Sequence, residues 1–458
     1  MDNAGGGPRV FELDDRHKAI EPFDPKTVSH PRYKEWGSVP MRRIDVERYI
    51  SPRHVELEAE RLWPYSWHAA GREDEVAKPG DYMEYQVGDQ SIIIVRTQSG
   101  ELKAYSNVCQ HRGTQLIKGC GHTDQFICPY HGWRWSLEGE NRYVHDAVDF
   151  PGLKRDELKL PESAVDTFAG FIFVRPEKEG PTLQQYLAPI AHILEPYHLE
   201  QYKVKSWRTL VVPANWKTAL EAFEEVYHLM GTHPQTIKGN DDVECPYDNF
   251  EGGHSLMVVP VSVPTARFKG KVDEQEVLKV AIENLLDVNL ADEGEKVAME
   301  ELAGKPLPDG VTTRSLFMEM ARAQYQKFMP ELAPDRYVED WDFTIFPNMV
   351  FNLFPGNYFG FIARPNGKDP DSCIFDVVAL IHPGERGLES KPREFVTDPT
   401  HDWGAVLAQD FFNLGRVQAG MHQRGIKATR LAGYQEKRIY GRFDEIDKYF
   451  EAHDPVKA

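Results

Sequence analysis

Two short segments constrain this chain more than anything else in it: Asn107-Val-Cys109-Gln-His111-Arg-Gly113 and Cys128-Pro-Tyr-His131-Gly132-Trp133, with sixteen residues between His111 and Cys128. Each offers one thiolate and one imidazole. Bringing both pairs to one point requires two facing loops, and Gly113, Gly119, Gly121, Pro129 and Gly132 permit the tight turns such loops need. Two metal groups accept this donor set. One is a [2Fe-2S] cluster with two cysteines on one iron and two histidines on the other; the second is a structural Cys2His2 zinc site, which more often opens with cysteines two to four residues apart. Neutral imidazoles in place of two thiolates lower the negative charge and raise the cluster potential, so that it accepts electrons from a ferredoxin or a flavin. Cys120-Gly-His122 is a second Cys-x-His pair, but it lies too close to Cys128 for another hairpin; Cys120 reads as a loop thiol and His122 as a solvent-facing side chain.

The surrounding sequence alternates as antiparallel β structure: Asp81 to Val87, Ser91 to Arg96, Trp133 to Leu137 and Gly170 to Arg175, separated by glycine turns and stopped by Pro176. A boundary falls near 178–182. Beyond it, 182–200, 214–230 and 403–422 read as helices, and 255–263 and 341–382 as strands. The Glu-, Lys-, Leu- and Met-rich stretch 271–330 reads as helices over an active site. The expected organisation is an N-terminal segment (1–55) packed on the catalytic domain, an all-β cluster domain (56–180) and an α+β catalytic domain (181–458).

Composition narrows the function. The 458 residues hold five cysteines, too few and too scattered for a disulfide framework. A net charge of −19 opposes nucleic-acid and anionic-membrane binding. No apolar run approaches a membrane span, and no leader is readable, so a cytoplasmic protein is expected.

A cluster only relays electrons, and the segment Asn215-Trp-Lys-Thr-Ala-Leu-Glu221-Ala-Phe-Glu224-Glu225-Val-Tyr-His228-Leu-Met-Gly231-Thr-His233-Pro234 offers a place to use them. On one helix Glu221, Glu224 and Glu225 share the face of His228. His233 does not, but Pro234 disfavours helical geometry before it and places His233 in the following turn, where it converges with His228. Two histidines and one carboxylate leave iron with open positions for O2 and substrate. Asp410, set among Val406, Leu407, Leu414 and Val417 on the late helix, is a carboxylate that needs a cation beside it. Asp402 suits a helix cap better.

From Trp63 to Val174 the chain resembles the Rieske domain of ring-hydroxylating oxygenases, through Trp67-His-Ala-Ala-Gly, Pro79-Gly-Asp81, the two Cys/His segments and Gly170-Phe-Ile-Phe. Tyr130 stands where respiratory Rieske proteins carry a further cysteine. The likeness continues through Phe346-Pro-Asn-Met-Val-Phe and Gln418-Ala-Gly420.

It implies a Rieske [2Fe-2S] domain on Cys109, His111, Cys128 and His131, placed before a helix-grip catalytic domain. It also implies one mononuclear Fe(II) on His228, His233 and Asp410, and Glu225 as the acid bridging toward a neighbouring subunit's cluster. Most members have Asp at the Glu225 position; some that act on quaternary amines share Glu. The implied activity is that of a terminal oxygenase component. It uses O2 and electrons from NAD(P)H, through a flavin reductase or ferredoxin, to mono- or cis-dihydroxylate an aromatic or other apolar organic substrate, as in aromatic hydrocarbon catabolism. Oxidative N- or O-demethylation is the alternative. A stand-alone electron-transfer module or a zinc-binding module leaves His228, His233 and Asp410 unexplained. The implied assembly is a head-to-tail homotrimer, alone or with a small β subunit. Pocket candidates by residue type are Phe223, Tyr227, Met230, Val259, Phe351, Leu353, Tyr358 and Phe411.

Overall fold

The computed structural model describes residues 39–268, 272–287, 291, 293–385 and 387–455; of the N-terminal segment, residues 1–38 lie outside the described residues. Ten strands come first: β1 (His68–Arg72), β2 (Asp81–Val87), β3 (Gln90–Arg96), β4 (Leu102–Ser106), β5 (Cys120–His122), β6 (Phe126–Ile127), β7 (Arg134–Trp135), β8 (Asn141–Tyr143), β9 (Glu162–Phe168) and β10 (Phe171–Arg175). They make a seven-stranded sheet ordered β1-β10-β9-β4-β3-β2-β5 and a three-stranded sheet β6-β7-β8. Strand β2 buries Met83, Tyr85 and Val87 and turns Gln86 outward, the alternation of a sheet with one wet face. In β3, Ile92 through Val95 are all buried because Ile92 and Ile94 pack into one apolar cluster and Ile93 and Val95, on the opposite face, into another that includes Cys109 and Cys128.

Cys120 is not in a loop. Cys120–His122 is an edge strand paired with β2, with Met83 opposite Cys120, because the Glu84 carboxylate accepts from Gly119 N–H at 2.8 Å and draws the chain alongside. Both side chains are exposed, and His122 is held by Asp81 at 2.9 Å.

The second sheet is ordered β12-β13-β14-β15-β16-β17-β11-β18, from β11 (Lys203–Val212), β12 (Tyr247–Asn249), β13 (Ser255–Val259), β14 (Asp340–Ile345), β15 (Met349–Phe354), β16 (Asn357–Pro365), β17 (Cys373–Ile381) and β18 (Arg393–Phe395). Every pairing in it is antiparallel except β11 with β18. Its helices are α1 (Pro52–Arg61), α2 (Leu183–Leu194), α3 (Trp216–Glu221), α4 (Leu229–Thr232), α5 (Glu274–Asp287), α6 (Glu293–Ala303), α7 (Thr313–Tyr325), α8 (Ala405–Met421) and α9 (Lys437–Ala452). Helix α3 lies on β16 and β17, and α8 against α3 and β11. The architecture is α+β, an all-β unit followed by an antiparallel sheet wrapped by helices.

One apolar core runs through both halves, from Trp63 and Tyr85 to Trp207 and Phe361. Polar ties reinforce it: the Asn348 amide accepts from Ala69 N–H and donates to its carbonyl at 3.0 and 3.1 Å, and Arg393 pairs with Glu75 at 3.0 Å. The described end of the N-terminal segment lies against the last helix, where Arg42 reaches Asp444 at 2.7 Å and Arg48 reaches Asp447 at 2.6 Å.

Candidate metal centres

The two Cys/His loops are copies of one design. Cys109 N–H donates to the Thr114 carbonyl and Cys128 N–H to the Trp133 carbonyl, each at 2.8 Å; Gly113 and Gly132 then donate back to the carbonyls of Cys109 and Cys128, each at 3.0 Å. Gly113 and Gly132 stand at φ +79° and +70°, conformations a side chain would strain. The loops bring the two thiols together and the two imidazoles together. Both cysteines are buried, and the Nδ1 atoms of His111 and His131 face each other at 3.2 Å. Burial raises the Cys109 thiol, which also receives N–H groups from His111 and Arg112. Burial likewise opposes ionisation of Cys128, but N–H groups from Tyr130 and His131 outweigh it and the thiol is lowered. The His111 imidazole is held below its ordinary pKa by partial burial and by His131. Two sulfurs supplied with backbone N–H groups and two imidazoles suit a [2Fe-2S] cluster, whose charge those N–H donors offset. Trp133 stacks on His111 at 4.7 Å and fixes its ring.

The second centre departs from the expected geometry. Asn215 caps α3, its side-chain oxygen accepting from Lys217 N–H at 3.1 Å, but the helix ends at Glu221 instead of running on to 230. Competing partners break it. Glu224 turns inward to a buried ion pair with Arg442 and accepts from Thr344 Oγ1 at 2.8 Å, while Arg438 donates to its backbone carbonyl at 3.4 Å. Glu225 accepts from the backbone N–H of His228 at 2.9 Å, a side-chain bond that competes with helix. The three acids therefore do not share one face. Glu221 is bonded by Tyr49 OH, and burial pushes its carboxyl up to about 8.

His228 and His233 flank the single turn α4 at its two ends. The Nε2 of His233 lies 2.9 Å and that of His228 4.0 Å from Oδ1 of Asp410, and one donor atom from each of the three residues falls within 4.8 Å of the others. Their outer nitrogens are occupied: Nδ1 of His228 meets Glu225 at 2.8 Å and Nδ1 of His233 meets Gln409 at 2.6 Å. Outer-shell anchoring that leaves Nε2 free toward a shared carboxylate is how metal-ligating histidines are held. Burial disfavours the His228 cation, but Glu225, with Asp410 adding to it, raises the imidazole to about 9, so a cation is wanted there. Two imidazoles and a buried carboxylate fit a mononuclear iron with open positions. Gln418 ties α8, which carries Asp410, to α3, accepting from Asn215 N–H at 3.0 Å and Thr218 Oγ1 at 3.1 Å. Asp402 does not cap α8; Gly404 does, with Asp402 accepting from its N–H at 2.9 Å.

The three residues open on a cavity of about 760 Å³ between the sheet, α8 and helices α5 to α7. Phe223 and Val259 line it. Tyr358 borders it but turns its ring to the other sheet face, 4.9 Å from Phe351 and 5.4 Å from Phe171. Tyr227 is exposed, and Met230, Phe351, Leu353 and Phe411 are not among the cavity residues. Phe351 and Leu353 fail on strand parity, since alternate β15 residues Asn352 and Phe354 face the cavity. Residue type alone missed Gln409, whose one signal is its place beside Asp410.

Residues 66–154 match the family model of the Rieske [2Fe-2S] domain and residues 199–452 that of the ring hydroxylating alpha subunit (catalytic domain). The chain belongs to the Rieske ring-hydroxylating alpha-subunit family. Family members carry a [2Fe-2S] cluster and a mononuclear iron, the two groups that the donor sets fit. The glycine betaine monooxygenase oxygenase subunit of Chromohalobacter salexigens is 33% identical over 406 residues, 88% of this chain and 83% of that one. The subunit of the same name from Pseudomonas aeruginosa is 31% identical over 204 residues, 43% of this chain and only 47% of that relative's length. The biphenyl 2,3-dioxygenase alpha subunit of Rhodococcus jostii is 31% identical over 193 residues, 41% of this chain and 42% of that one. The fold matches a quaternary ammonium Rieske monooxygenase solved with L-carnitine, at a TM-score of 0.62 and 17% identity over 94% of this chain and all of that one. It also matches naphthalene 1,2-dioxygenase, at 0.61 and 18% over 90% and 94%. Among the described residues no helix is long and apolar enough to cross a membrane.

Proposed function

We propose that this chain is the terminal oxygenase of a Rieske system that oxidises an N-methyl group of a quaternary ammonium or similar N-methylated cation. This reading replaces aromatic hydroxylation as the first choice. The observation that carries it is the cavity wall, where Phe359 and Phe361 share one sheet face with Asp340 and Asp342, and Phe223, just after α3, stacks on Phe361 at 3.7 Å. Rings attract a methylated cation through their faces, and carboxylates in the wall of a hydrocarbon pocket cost free energy without return. The relative matched over most of this chain is named for glycine betaine, which supports the same choice.

Cys109, His111, Cys128 and His131 hold the cluster in this reading, and His228, His233 and Asp410 the iron, which when bound activates O2. Electrons arrive from NAD(P)H through a flavin reductase or ferredoxin. In a head-to-tail trimer Glu225, bonded to His228 of its own subunit, would stand between that histidine and the partner subunit's His111 or His131, and would link the two centres. Glu225 and Gln409 fix the two imidazole rings, while the apolar walls exclude water around the methyl group. Overall, one oxygen atom enters the methyl C–H bond and the other leaves as water with two electrons and two protons; the cationic N-hydroxymethyl product then loses its hydroxyl proton and separates into formaldehyde and the amine, which takes back the C–N electron pair.

The test is reconstitution with a surrogate reductase, following O2 uptake, formaldehyde and product mass with glycine betaine, carnitine and choline against benzene and biphenyl. Formaldehyde in step with NADH consumption from an N-methyl substrate is the expected result. A cis-diol from the aromatic compounds, with no formaldehyde from the cations, would overturn the proposal.

A further inference from the structure

Among the described residues, the carboxylates lining the cavity are Glu225, Glu295, Asp340, Asp342 and Asp410. Four have a cationic partner or a metal role. Glu225 holds His228, Glu295 pairs with Lys205, Asp342 pairs with Arg438 at 2.6 Å, and Asp410 faces the two histidines. Asp340 differs. Its Oδ2 accepts from the Asn352 amide at 2.9 Å, and among the described residues its buried Oδ1 has no hydrogen-bond partner and no lysine or arginine pairs with it. The charge of Arg438 acts on it, but Asp342 already engages that guanidinium together with Thr344 and Ser255.

The register places Asp340 directly beside Val259, on the face that also carries Asp342, Asn352 and Phe359. All of these line the cavity. We infer that Asp340 is the counter-charge that selects a cationic nitrogen in the substrate. The inference rests on the N-demethylation reading and assigns its recognition to one side chain. A quaternary nitrogen has no N–H, so it recognises a carboxylate through the field across a low-dielectric wall and needs no direct hydrogen bond. The rings of Phe223, Phe359 and Phe361 supply the contact surface for its methyl groups. Burial, together with the neighbouring Asp342, raises the Asp340 carboxyl well above its ordinary range, so its ionised form lacks a stabilising charge until a cation enters. Lys205, the lysine or arginine among the described lining residues, is occupied by Glu295 and does not cancel the effect.

The experiment uses the metal-loaded enzyme without O2 and measures calorimetric binding of choline and of its neutral isostere, 3,3-dimethylbutan-1-ol, to wild type and Asp340→Asn. Wild type is expected to prefer choline. In Asp340→Asn the choline Kd rises about tenfold or more while that of the isostere moves by less than about threefold, with cluster absorbance and iron content unchanged. Asp340→Glu restores part of the preference. Should Asp340→Asn not fold, Asp340→Ser makes the same comparison. A variant that discriminates as wild type does overturns the role of Asp340 and leaves the N-demethylation reading standing. A wild type that shows no preference for the cation overturns both.

Discussion

Glu224 and Glu225 are adjacent acids with different tasks, and Glu224→Ala separates them. The Glu224 side chain is wholly buried, bonded by Arg442 through two nitrogens and by Thr344 at 2.8 Å. Its removal leaves the Arg442 guanidinium, itself about 1% exposed, with the Pro347 carbonyl at 2.8 Å as its remaining hydrogen bond. An uncompensated buried charge of this kind costs about 3–5 kcal/mol. At about 2–4 °C per kcal/mol for a domain of this size, the catalytic domain's melting transition falls by roughly 6–20 °C. The loss extends to the metal, because the segment that Glu224 anchors leads directly into His228. Differential scanning calorimetry of Glu224→Ala, with iron analysis below the transition, reads both effects. Arg442→Met in the same background relieves the stranded charge and recovers part of the loss. A Glu224→Ala protein that melts within about 1 kcal/mol of wild type and keeps its iron would refute the reasoning.

Replacing Gln409 by Leu frees Nδ1 of His233 and is expected to weaken iron binding about 10–100-fold while the cluster's visible spectrum stays unchanged; equal affinity by chelator competition would contradict it. Because the His228 pKa stands at about 9 without metal, iron displaces a proton there. The apparent affinity for Fe(II) therefore falls about tenfold for each pH unit below 9 and levels off above it, and a flat titration would show that iron displaces no proton from His228. The same raised pKa stabilises the metal-free protein fully below pH about 6.5, and that contribution is lost as pH rises through 9. Cys120→Ser leaves the cluster spectrum intact because Cys120 sits exposed on an edge strand, whereas Cys128→Ser abolishes it; bleaching in both would place Cys120 in the cluster.

Local spacing singled out the four cluster donors and the two histidines in the sequence, whereas Asp410, 177 positions from His233, came from its place among apolar residues on the late helix and from the family resemblance. The Cys-x-His and Cys-x-x-His loops need nothing outside themselves to form, and Pro234 does place His233 beyond a helical turn. The helix expected over 214–230 fails because the residues that break it, Arg438 and Arg442, lie more than two hundred positions away. No window around Glu224 contains them. The pocket was legible only in part for a related reason: choosing aromatic residues picks Phe351, yet the side of β15 that faces the cavity is set by pairing with β14 and β16, which puts polar Asn352 there. Asp340 likewise gains meaning only once Asp342 is seen to be paired.

The central claim, a relay cluster serving a separate iron, is tested most directly by iron and sulfide analysis with low-temperature EPR on wild type and Asp410→Ala. Wild type should hold the cluster's iron and sulfide plus one further iron per chain, and show a Rieske signal on reduction. Asp410→Ala should lose that further iron and all turnover while its Rieske signal is unchanged. Zinc in place of cluster iron, or an Asp410→Ala protein that keeps its full iron and its activity, would contradict the account.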